Sequence, residues 1–133
     1  MEELIEEVRR RIGIIESYSR NYVDYLHKGE YAKASEMLWG ILNNLASTLS
    51  LLYEGKPISG HLELKSFITS LASMLGNEDI VKWFRACEKL HANFFHHFMD
   101  EATFEEYRVE AEKLIDTLQK LVVEKLQEQG IRV

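Results

Sequence analysis

Apolar residues recur at intervals of three and four along almost the whole of this 133-residue chain, and the strong helix breakers lie between those runs. Such spacing places side chains on one face of an α-helix, and no segment shows the alternation that is typical of a strand. The only proline, Pro57, lies in the clearest loop, residues 55–61. The pattern predicts an all-α protein with helices over residues 2–28, 30–54, 61–75 and 77–100 and a last helix from Thr103 until Gly130.

Four long helices and one short one, joined by short loops, predict an up-and-down bundle that forms one domain over residues 1–133. The chain begins with an acidic segment where a signal peptide would be basic, and no segment approaches the roughly 18 uninterrupted apolar residues of a membrane span. The single cysteine, Cys87, excludes an internal disulfide and lies on an apolar stripe, so we expect a buried thiol. We therefore expect a cytoplasmic protein with no membrane association.

The stretch from Asn77 to Asp100 has the most distinctive helical pattern of the chain. Its apolar stripe includes a histidine and consists of Phe84, Cys87, His91, Phe94 and Phe98, widened by Ile80, Trp83, Leu90 and Phe95. The opposite side is basic and carries Lys82, Arg85, Lys89 and His96. We expect His91 to be a core histidine that is hydrogen-bonded to a neighbouring helix.

The basic side of this stretch is the candidate binding surface. Because the net charge is −6, any contact with a polyanion has to come from a local patch of this kind. The alternative is a solvated face whose charges are neutralised by Glu78 and Glu88, and the residues alone favour that alternative.

The sequence gives little support for a metal or cofactor site. Glu88-x-x-His91 is half of the motif with which bundle proteins hold two metal ions, but it occurs once and the inward positions are almost wholly apolar. His91, His96 and His97 are spread around the helix. Gly55 and Gly60 have the spacing of a phosphate-binding loop, but the lysine and hydroxyl residue that should follow are absent. We expect no metal and no cofactor.

Several local features carry predictions about packing. Gly40 lies inside the second helix at a cost of roughly 1 kcal/mol, which predicts close approach of a neighbouring backbone. Asn43 and Asn44 interrupt the same apolar surface, and we expect at least one to be exposed.

Thr103-x-x-Glu106 predicts a capping box at the start of the last helix. The second helix and the stretch from Asn77 are apolar over more surface than one bundle face needs, which predicts a homodimer.

Two stretches of the chain resemble the archaeal PaREP-type family within the wider HEPN group of helical domains. Residues 34–40, Ala-Ser-Glu-Met-Leu-Trp-Gly, look like that family's helix-two signature, and residues 90–95, Leu-His-Ala-Asn-Phe-Phe, resemble its Leu-His-x-Asn-Phe-aromatic stretch. Gly60-His61 lies between them, and the resemblance covers about residues 20 to 125. It implies a HEPN-like bundle that commonly dimerises, in thermophilic archaea, with relatives that cleave RNA or partner small nucleotidyltransferases.

In the ribonucleases of that wider group, an arginine followed by a histidine forms a metal-independent site that is paired across a dimer. The resemblance thereby implies a catalytic pair in Arg85 and His91, which have five residues between them. An imidazole can move a proton and a guanidinium can offset charge on phosphorus oxygens. However, Ala86 replaces the usual polar residue, and the two side chains point roughly 120° apart on a helix. We favour a non-enzymatic helical dimer that binds a partner or nucleic acid, with a ribonuclease as the alternative.

Overall fold

The computed structural model describes all residues from Met1 to Val133 and contains five α-helices and no strand. The helices are α1 (Glu2–His27), α2 (Tyr31–Glu54), α3 (His61–Leu75), α4 (Asp79–His96) and α5 (Glu101–Glu128). The all-α class and the four longer helices with one shorter helix are confirmed. No helix combines the length and the apolar character that crossing a bilayer requires.

Helix α2 is the central element of the fold, because it packs against each of the other four helices. Fourteen of its 24 residues are buried, which explains why it is apolar on more than half of its circumference. The apolar excess of α2, one of the two stretches that predicted a homodimer, is therefore covered inside a single chain. The dimer itself stays a prediction, but α2 no longer provides the argument for it.

Gly40 allows α1 to approach α2 closely, although the contact differs from the one predicted. A Cβ atom at this position would lie 2.5 Å from Cε2 of Tyr18 in α1. The neighbour is an aromatic side chain and not a backbone segment. The glycine therefore makes room for the Tyr18 ring.

Asn43 and Asn44 are both half-buried, so the prediction that at least one is exposed is wrong. Each donates its side-chain amide to the carbonyl four residues earlier in α2, and Asn44 also accepts a hydrogen bond from Arg11. On α3, helical spacing alone would place Met74 and Leu75 on the core stripe, but they are 65% and 41% exposed. The core residues of α3 are Leu64, Ile68, Leu71 and Ala72.

Helix α4 ends at His96, four residues before the predicted end. His97 adopts φ 48°, in the left-handed region, and Phe98 lies beyond the helix with 53% of its surface exposed. The buried Asn93 side chain explains this turn, because its Oδ1 accepts a hydrogen bond from the Met99 N–H at 2.9 Å. The Asn93 side chain thereby replaces the backbone carbonyl that would accept the Met99 N–H if the helix continued.

Helix α5 begins two residues before the predicted capping box. Asp100 is the N-cap, and its carboxylate accepts a hydrogen bond from the backbone N–H of Thr103 at 2.8 Å. This bond holds the pKa of Asp100 below its usual value. The prediction of a capping box at Thr103 is wrong, because the helix begins at an aspartate three residues earlier, whose side chain accepts the N–H of Thr103 itself.

We predict that Gly40→Ala lowers the free energy of unfolding by about 1–2 kcal/mol, because overlap with the Tyr18 ring outweighs the gain in helix propensity. The matched control is Gly13→Ala, since Gly13 is an exposed helical glycine where an added Cβ would meet nothing within 4 Å. That control should be neutral or stabilising. In a Tyr18→Ala background, Gly40→Ala should no longer lower the free energy of unfolding. Urea denaturation of these variants tests this, and an equal effect of Gly40→Ala in both backgrounds would contradict the assigned contact.

Candidate functional site: a histidine and carboxylate cluster around Trp39

Three helices bring two histidines and two glutamates together around one indole. Helix α2 contributes Glu36 and Trp39, α3 contributes His61 as its first residue, and α4 contributes Glu88 and His91. Residues three apart on a helix lie on neighbouring positions of its surface, so α2 and α4 each present two of these side chains together. We call this group the Trp39 cluster.

The His91 ring is held by two contacts with α2. It stacks on Trp39, with ring centroids 4.5 Å apart and an angle of 16° between the planes. Its Nδ1 lies 3.0 Å from Oε2 of Glu36. The expected hydrogen bond to a neighbouring helix is confirmed, but the expected burial is wrong, because 29% of the side chain is exposed.

The carboxylate determines which nitrogen of His91 carries the proton. A carboxylate only accepts hydrogen bonds, so Nδ1 donates to Glu36. In the neutral ring, Nε2 is then an acceptor, and it makes no hydrogen bond to any other residue of the chain. His91 therefore combines a fixed ring with a free acceptor nitrogen.

His61 forms the second histidine–glutamate pair. Its Nε2 lies 2.8 Å from Oε2 of Glu88, and its ring centroid is 5.3 Å from that of Trp39. Half of its side chain is exposed. Nothing in the local sequence singled out this residue, since a histidine after a loop looks like an ordinary helix start. The Gly60-His61 part of the family resemblance was the only signal.

Glu88 thus pairs with His61 and does not act with His91 as half of a metal motif. No group of three or more histidine, cysteine, aspartate or glutamate side chains in the chain is placed to hold a metal ion. Cys87, the neighbour of Glu88, is fully buried, and burial raises the pKa of its thiol well above the usual value. The thiol is therefore not available as a nucleophile.

Trp39 supports the cluster and does not present a surface for a ligand. Only 8% of the residue is exposed, and its ring also lies 6.1 Å from that of Phe84. The groups that reach solvent are the two imidazoles and their carboxylates. These groups can accept and donate hydrogen bonds.

The basic side of α4 is exposed, as predicted, but it is not neutralised as predicted. Lys82 pairs with Glu110 of α5 at 3.3 Å, whereas Arg85 and Lys89 make no ion pair in the chain. Glu88, one of the two residues expected to neutralise this face, is engaged with His61. The basic face therefore presents two cations without an acidic partner, and His96 is exposed near its end.

Arg85 and His91 are not brought together within one chain. Both lie on the continuous helix α4, where six residues of separation turn them about 120° apart. Arg85 is exposed, and His91 is turned towards Glu36 of α2. If these two side chains act on one phosphate, the arginine has to come from another chain.

The structure therefore defines a five-helix, all-α protein whose site is a pair of histidine–glutamate contacts around a buried indole. Comparison with known families shows which protein group this is. The profile of the archaeal PaREP1/PaREP8 family matches residues 10–115, so the chain belongs to that family. No curated protein and no solved structure matches the chain.

We predict that His91→Ala lowers the free energy of unfolding by about 1–3 kcal/mol, because it removes the ring stacked on Trp39 and leaves Glu36 without its partner. His96→Ala is the matched control on the same helix. His96 is exposed and makes no side-chain hydrogen bond, so its loss should cost less than about 0.5 kcal/mol. Thermal unfolding followed by circular dichroism measures both. Equal effects of the two substitutions would contradict the described role of His91.

Proposed function

We propose that this chain acts in the cytoplasm as a non-enzymatic, HEPN-like homodimer that associates with nucleic acid through the basic face of α4. The observation that carries the proposal is the pair of exposed, unpaired cations, Arg85 and Lys89, beside Lys82 and His96. The resemblance to the HEPN group supports the dimer. It also supports a small nucleotidyltransferase as the protein partner with which such a module would work.

The charge distribution favours contact with phosphates. The chain as a whole carries a net charge of −6, so its summed field disfavours a polyanion at long range. An arginine and a lysine that have no acidic partner lose no ion pair when they meet a phosphate. Binding should therefore be weak, local and strongly dependent on salt.

We expect that replacing Lys82, Arg85 and Lys89 together by alanine weakens binding of a single-stranded RNA and makes the salt dependence shallower. Three lost phosphate contacts should reduce the slope of log affinity against log salt concentration by about 2. The matched control replaces Lys65, Lys113 and Lys120, which are exposed on α3 and α5. It changes the net charge equally. Fluorescence anisotropy over a salt series measures both variants, and an equal effect of the two would overturn the assignment of this face.

A metal-independent endoribonuclease that uses Arg85 and His91 is the second candidate. The observation that favours it is the state of His91, whose Nδ1 faces a carboxylate while the partly exposed ring leaves Nε2 free. A histidine oriented in this way can serve as a general base. The arginine would have to come from the second copy of the chain.

Our proposal predicts no RNA cleavage that depends on these two residues when a chelator is present. The assay compares the wild-type protein with Arg85→Ala, His91→Ala and the control Lys89→Ala. If Arg85→Ala and His91→Ala each abolished cleavage to a similar degree while Lys89→Ala did not, the ribonuclease would replace the binding module, because residues that act as one unit are non-additive.

A further inference from the structure

Phe95 was predicted to widen the apolar stripe of α4, but the fold leaves this large aromatic side chain in solvent. It is 61% exposed, yet its ring is held by two nearly perpendicular aromatic contacts. One is with His91, at a centroid distance of 5.2 Å and an angle of 86°, and the other is with Phe94, at 5.1 Å and 80°. An exposed ring that its neighbours already orient loses little freedom when another flat group stacks on it.

The position of Phe95 on α4 lies between the basic face and the Trp39 cluster. At about 100° per residue, it is turned about 80° from Arg85 and about 40° from His91. Arg85 is ten residues away, which is about 15 Å along the helix axis. A chain of phosphates that touches the basic face can therefore place a base on the Phe95 ring.

Three side chains together then determine which kind of ligand this surface would prefer. Arg85 provides a cation for a phosphate, Phe95 provides a ring for a base, and Nε2 of His91 provides an acceptor that makes no hydrogen bond in the chain. An acceptor beside a stacked nucleotide suits the 2′-hydroxyl of ribose, which deoxyribose lacks. Bases are free to stack on a protein ring only where they are unpaired.

We propose that Phe95 and His91 form a reading site for a single nucleotide of single-stranded RNA, in which Phe95 stacks on the base and His91 accepts a hydrogen bond from the 2′-hydroxyl. This inference rests on the proposed association of the basic face with nucleic acid. It adds two specificity-determining residues. Phe95 would select for unpaired bases, and His91 would select for ribose.

The test uses fluorescence anisotropy with a labelled oligoadenylate RNA, the same oligonucleotide with 2′-O-methyl riboses, and an abasic RNA backbone. Phe95→Ala should weaken binding of the RNA at least about fivefold, in line with one lost stacking contact. Phe95→Tyr, which keeps the ring, should bind as the wild-type protein does. Neither substitution should change binding of the abasic backbone. The wild-type protein should bind the 2′-O-methyl oligonucleotide more weakly than the RNA.

Val123→Ala provides the matched control, since Val123 is a 52% exposed apolar residue on α5. It should bind all three oligonucleotides as the wild-type protein does. If Phe95→Ala binds RNA as tightly as the wild-type protein while the variant without Lys82, Arg85 and Lys89 does not, the stacking site is wrong and the proposed function stands. If that triple variant also binds normally, the proposed function fails.

Light scattering after size exclusion separates stacking from assembly. If Phe95→Ala lowers the mass of the protein and weakens binding of all three oligonucleotides equally, Phe95 is a contact between two copies of the chain and the proposal is overturned. Equal binding of RNA and its 2′-O-methyl form by the wild-type protein would overturn the role of His91.

Discussion

The contact between the His91 imidazole and the Trp39 indole determines the geometry of the Trp39 cluster. Helix α2 is buried among all the other helices, so Trp39 has little freedom to move. The His91 ring stacks on Trp39 and is therefore also held in place. The Glu36 carboxylate then determines which nitrogen of His91 faces outward. The same indole packs against His61, which ties the start of α3 to the cluster. One buried aromatic residue thereby orients the partly exposed imidazoles on two different helices.

The site divides into an acidic-and-imidazole part and a cationic part that lie on different sides of α4. In the first part each imidazole has its own carboxylate, and Nε2 of His91 makes no hydrogen bond. The second part is not satisfied, since Arg85 and Lys89 have no acidic partner within the chain. This separation is the basis for proposing that the cations contact phosphates while His91 contacts a neighbouring group of the same ligand. It argues against a catalytic arginine–histidine pair within one chain.

Much of the fold could be predicted because helix-breaking residues clearly separate the helical segments of the sequence. The spacing of apolar residues and the glycines between the runs placed α1, α2 and α3 within one residue of their ends. The end of α4 could not be predicted, because it depends on the buried Asn93 amide accepting from Met99 six residues ahead. Apolar spacing does not reveal that bond. The start of α5 was misplaced since two N-cap candidates, Asp100 and Thr103, compete and periodicity does not choose between them.

The candidate site was harder to predict for a related reason. His91 pairs with a residue 55 positions earlier, and His61 pairs with one 27 positions later. Helical periodicity assigns residues to faces, but it does not show which faces meet. The family resemblance rests on residues 34–40, Gly60-His61 and residues 90–95. It does not show that these segments converge on Trp39.

His91 is a fixed imidazole whose Nδ1 donates to Glu36 and whose Nε2 is a free acceptor. Nitrogen-15 chemical shifts of the histidine side chains, measured by NMR at a pH where the rings are neutral, test this claim directly. We expect the His91 Nδ1 to show the shift of a protonated ring nitrogen and Nε2 the shift of an unprotonated one, and Glu36→Ala, which removes the acceptor, should abolish this preference. A His91 with the opposite tautomer, or with the averaged shifts of a free imidazole, would contradict the account.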